Sequence, residues 1–79
     1  MKDYFLVDFS DILQHAQMLG YEWNLIHDTL AKDLLPFPGE HQIEHNLSDI
    51  RQYNHSEDTI KIMESFFKEN NRTYCVLVA

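Results

Sequence analysis

The sequence predicts one α+β (or small α/β) domain spanning residues 1–79, with two to three mostly parallel strands and three to four helices. Three observations lead there. An apolar run stands near each end of the chain, at residues 4–7 and 73–79. Between them, three segments repeat apolar residues every three or four positions, the period of a one-sided helix. Pro36 and Pro38, close together, separate the first two helical segments from the rest, because neither can continue a helix.

Tyr4, Phe5, Leu6 and Val7 suit a short buried strand that Asp8 and Phe9 end. Ser10 can cap a helix beginning at Asp11, whose apolar face holds Ile12, Leu13, Ala16 and Leu19. Gly20 is the residue expected just past its end. A second helix runs from about Tyr21 or Glu22 to Leu35, with Trp23, Ile26, Leu30 and Leu34 on its period.

Residues 40–53 are ambiguous. Ile43, Leu47 and Ile50 would face one side of a short helix, and an edge strand near residues 41–44 fits equally. The ending is the best specified part. Ser56 is an expected N-cap, and Glu57 and Asp58 follow where the helix dipole favours acids. Ile60, Met63, Phe66 and Phe67 form one face, and Asn70 with Asn71 stops the helix. Residues 73–79 carry no charge and read as a strand covered on both faces. Helices between the two apolar terminal strands favour a parallel pairing of neighbours over a hairpin. Cys75 then reads as a small core residue.

The charge is uneven. Thirteen acids oppose six bases, for a net charge of −7. Residues 3–31 hold five acids and no Lys or Arg, and residues 33–50 hold four more and again no base. Such a surface repels nucleic acid and anionic membranes and is steered toward basic partners. A single cysteine allows no internal disulfide, which fits a reducing, cytoplasmic setting. The start has no basic-then-apolar leader pattern, and no apolar run approaches the roughly 20 residues of a membrane helix.

Few residues suggest chemistry. His41 and His45 stand four apart, a spacing that on a helix lets two imidazoles share one metal. Gln42, however, occupies the place where the metalloprotease signature has a glutamate. Leu47-Ser48-Asp49 reverses the Asp-Ser-Leu order of acyl carriers. Both glycines lie outside any phosphate-loop or nucleophile-turn motif. The expectation is a non-enzymatic protein without a cofactor.

Binding is the stronger expectation. Glu22, Asp28 and Asp33 lie outside the apolar stripe of the second helix, with Tyr21 and Trp23 as large anchors of the sort interfaces favour. A helix presenting carboxylates in this way can enter a basic groove in place of nucleic-acid phosphates.

Three stretches carry a resemblance to barstar-type ribonuclease inhibitors. Ser10-Asp11-Ile12-Leu13-Gln14 looks like the start of that family's first helix. Residues 21–30, with Asn24-Leu25 and Asp28-Thr29-Leu30, look like a shortened inhibitory helix. The final helix, turn and strand are similar in pattern and length. The resemblance implies helices packed on a three-stranded parallel sheet, with Asp28 matching the acid that plugs the nuclease's phosphate pocket. The family's glycine before the inhibitory helix has no counterpart here.

The expected function is therefore that of a small acidic inhibitor, of the immunity, antitoxin or phage anti-defence type. It would bind a basic nuclease, toxin or nucleic-acid-binding protein through Tyr21, Glu22, Trp23, Asp28 and Asp33. The alternatives are a small metal-binding protein using His41 and His45, and an accessory or oligomerisation domain.

Overall fold

A computed structural model describes residues 5–35, 42–48 and 50–78. Its elements are β1 (Leu6–Asp8), α1 (Phe9–Met18), α2 (Trp23–Leu34), β2 (Gln42–Asn46), a 3-10 turn (Ile50–Gln52), α3 (Glu57–Glu69) and β3 (Tyr74–Val78). The fold is α+β, with three α-helices among the described residues. The strand order is β1-β3-β2. The terminal strands are neighbours and parallel, as expected, with Leu6 opposite Val76 and Val7 opposite Leu77.

The sheet is mixed and not mostly parallel. β2 runs antiparallel to β3, with His45 opposite Cys75 and Asn46 opposite Tyr74. The connection explains the direction. β2 ends beside the start of β3, where the Leu47 N–H donates to the Thr73 carbonyl at 2.8 Å. Residues 47–56 carry the chain away, and α3, about 20 Å long at 1.5 Å per residue, brings it back. The ambiguous segment is thus a strand followed by a 3-10 turn, and Ile50 is fully buried.

One sheet face holds Val7, Cys75 and Leu77, which join a core of Ile12, Ala16, Ile26, Leu30, Leu34, Ile62, Met63 and Phe67. Side chains alternate along a strand, so Leu6 and Val76 share the opposite face. There Val76 is buried and Leu6 is 60% exposed. Burial pushes the Cys75 thiol up to about 11, so it stays protonated and packs as a core residue.

The helix ends follow local chemistry. α1 starts at Phe9, two residues before the expected Asp11, and Asp8 takes the N-cap position in place of Ser10. The Asp11 carboxylate accepts from the Asp8 N–H at 3.2 Å, which an acid three residues past the cap is placed to do. At its other end the Gly20 N–H donates to Gln17 and the Tyr21 N–H to Ala16, a Schellman motif. Gly20 takes φ +103°, which that motif demands of its C′ residue. α3 closes in the same way, with Asn71 at φ +53° and the Arg72 N–H donating to Phe67.

Two expected core residues are half-exposed: Leu19 at 45% and Trp23 at 49%. Both stand at the α1–α2 corner, Leu19 as the C-cap of α1 and Trp23 as the first residue of α2.

Candidate functional site

Trp23 opens α2 and lies on His27, one helical turn later, with ring centroids 4.7 Å apart. The edge of the Phe9 ring meets the same imidazole at 5.7 Å. His27 Nδ1 lies 3.3 Å from an Asp28 carboxylate oxygen. His27 therefore links three groups: an aromatic from α1, an aromatic from the first turn of α2, and an outward carboxylate. Asp28 is 96% exposed and His27 37%. Glu22, the N-cap of α2, is exposed as well.

Tyr21 holds a second carboxylate near this corner. Its hydroxyl donates to Asp58 on α3 at 3.3 Å. Burial, then the Asp58 charge and this bond, raise the Tyr21 hydroxyl above its ordinary value and keep it a donor. Among the described residues neither Glu22 nor Asp58 makes a salt bridge, and Asp28 pairs only with His27. The nearby cation Arg51 is engaged elsewhere, gripping Glu64 through two nitrogens at 3.1 and 2.9 Å and reaching Glu57 at 3.8 Å.

Asp33 has a different part. It accepts from the Ser56 N–H at 3.1 Å, the Ser56 hydroxyl at 3.0 Å and the Thr59 hydroxyl at 2.6 Å. Burial alone would raise its carboxyl, but the bonds from Thr59 and Ser56 outweigh that, with His55 assisting, and lower it. Asp33 thus joins α2 to the first turn of α3, while Ser56 caps that turn through the Thr59 N–H. Of the five residues expected to share a binding face, Tyr21, Glu22 and Trp23 stand at the start of α2, the exposed Asp28 lies ~140° around the helix from Trp23, and Asp33 turns inward.

Sequence reasoning missed His27, Phe9 and Asp58 at this site. The i, i+4 spacing of Trp23 and His27 was a usable signal. Phe9 and Asp58 come from other elements, and only the fold brings them near.

His45, 3% exposed, stands in a strand and not on a helix. His41 lies outside the described residues. His45 instead joins Tyr53 and His55 in a ring cluster, at centroid distances of 6.2 Å to each. Among the described residues no group of three His, Cys, Asp or Glu side chains could hold a metal ion. His15 contacts the Ser65 hydroxyl at 2.9 Å, and Ser65 lies mid-helix, where main-chain donors are already used within α3. No described helix is long and apolar enough to cross a membrane.

Comparison with family models, with curated proteins and with solved structures gave no match.

Proposed function

We propose that this chain is a small, non-enzymatic binding protein of the inhibitor or immunity type, docking a basic partner protein through the start of α2. The observation that carries the reading is Trp23. It is a half-exposed indole held on His27, with the exposed carboxylates of Glu22 and Asp28 nearby. A half-exposed aromatic on a helix that also carries the exposed Glu22 and Asp28 supplies the two things a basic protein surface selects, apolar area to bury and electrostatic steering. The partner class is a nuclease, toxin or other nucleic-acid-binding protein, whose phosphate-binding residues the carboxylates would meet. Asp28 is the residue placed to enter such a pocket. Asp33 belongs to the scaffold, so the binding set is Tyr21, Glu22, Trp23 and Asp28, with Asp58 added.

The test is affinity capture from the source cell with the wild-type chain, the Glu22→Lys/Asp28→Lys double variant and Trp23→Ala. A basic protein retained by the wild type and lost with both variants is expected. Its association rate should fall with added salt for the wild type and much less for the double variant. Retention of the same partner by all three proteins would remove this face from consideration. A stable homodimer in light scattering, with no basic partner captured, would favour an oligomerisation domain.

A further inference from the structure

His27 is the one contact that connects Trp23 with Asp28. Its ring centroid lies 4.7 Å from that of Trp23 and 5.7 Å from that of Phe9, and its Nδ1 is 3.3 Å from an Asp28 carboxylate oxygen. An ionised carboxylate only accepts, so Nδ1 carries the hydrogen and Nε2 is the nitrogen that takes up a proton. The side chain is 37% exposed, so solvent reaches it. Imidazole is the side chain that ordinarily changes charge between pH 5 and 8.

The charged groups around His27 come from every element near it. β1 ends at Asp8, which caps α1 beside Phe9. On α1, Asp11 is turned to the Asp8 N–H and His15 to the Ser65 hydroxyl. On α2, Asp28 is in contact, and Glu22 and Lys32 stand five residues to either side. On α3, Asp58 takes the Tyr21 hydroxyl.

We propose that His27 makes the α2 face a pH-sensitive docking surface. In mild acid the imidazolium pairs with the Asp28 carboxylate and rests against the indole of Trp23, where a cation is favoured. It offsets one of the two exposed carboxylates, Glu22 and Asp28, that draw a basic partner. Neutral His27 leaves Asp28 its full charge. The face therefore binds above the imidazole range and releases below it. The switch belongs to the docking face proposed above, yet it can be measured without a partner.

Trp23 is the single tryptophan, so its emission reports on this contact alone. An imidazolium in contact quenches indole more than a neutral imidazole does. Emission of the intact chain should fall along a one-proton curve between pH 8 and pH 5. Over the same range, at low ionic strength, quenching by caesium should weaken and quenching by iodide strengthen, each roughly twofold, while neutral acrylamide is unchanged. His27→Gln should remove the emission change, and Asp28→Asn should lower the midpoint by a few tenths of a pH unit. Both side chains reach solvent, so these variants should fold. Decalysine, charged throughout, should lose roughly twofold more affinity for the wild type than for His27→Gln on going from pH 8 to pH 5. Flat emission, or equal titration in His27→Gln, would overturn the switch. Unchanged caesium and iodide quenching, or equal decalysine losses, would overturn its effect on docking. Absence of decalysine binding at pH 8 would fail the docking face itself, while emission still decides the switch.

Discussion

The Thr59 hydroxyl donates to the Asp33 carboxylate at 2.6 Å, and Thr59 is fully buried. One acid near the end of α2 thus satisfies a polar group sealed in the first turn of α3. Asp33→Ala removes that acceptor together with both Ser56 bonds. It should cost about 2 kcal/mol in urea unfolding, the scale of a charge-assisted bond whose partner is left buried. Asp33→Asn keeps a neutral acceptor and should cost about half as much. A loss under about 0.5 kcal/mol for the alanine variant would show that the tether adds nothing.

Stability should decline with acid in two windows. Burial lowers His55 below its ordinary 6.5, against the pull of Asp33. As pH falls below that value, the unfolded chain takes a proton that native His55 resists, and stability drops. Asp33 is likewise lowered from 3.8, so its contribution is present above that value and is lost as pH falls through its native range. Melting temperatures measured from pH 8 to pH 3 should show both declines. His55→Gln should remove the upper one and Asp33→Ala the lower. An unchanged upper decline in His55→Gln would assign that step to another group.

Trp23 and Phe67 should respond in opposite ways. Phe67 is fully buried, so Phe67→Ala should cost about 3–5 kcal/mol. Trp23→Ala should cost under about 1 kcal/mol, because half of the ring already faces solvent. Chemical denaturation of the two variants decides it, and comparable losses would make Trp23 a core residue and not an anchor.

Gly20→Ala isolates backbone strain. A Cβ there meets nothing within 4 Å, yet φ is +103°. The cost should be about 1–2 kcal/mol with no steric component. Asn71→Gly, at a position already left-handed at φ +53°, should be nearly neutral. If Gly20→Ala unfolds as the wild type does, the Schellman turn is not held as described.

What could be read from the sequence was what local chemistry decides. Ser56, Gly20 and Asn71 mark helix ends through groups within a few residues, and the uncharged terminal run marks β3, where Cys75 and Leu77 are buried on one face and Val76 on the other. β2 could be read only as one of two alternatives, because Gln42–Asn46 gains its strand geometry from β3 and carries little apolar pattern of its own. Its direction was hidden as well, since that depends on the path of residues 47–56. At the site, Glu22, Trp23 and Asp28 were legible as exposed groups on one helix. Asp33 looked equivalent to them, because its partners Ser56 and Thr59 lie more than twenty residues away.

Every strand pairing described in this sheet passes through β3. β1 and β2 have no pairing with each other, so a nascent chain that has emerged only through α3 holds two strands with nothing to pair with. The parallel ladder must then close across nearly the whole length of the chain, from Leu6 to Val76. Such long-range closure is slow compared with helix formation. During synthesis the helices can form early while the sheet waits, and the interval before residues 74–78 arrive is when the unpaired main-chain edges of both early strands are open to chaperones, proteases or one another.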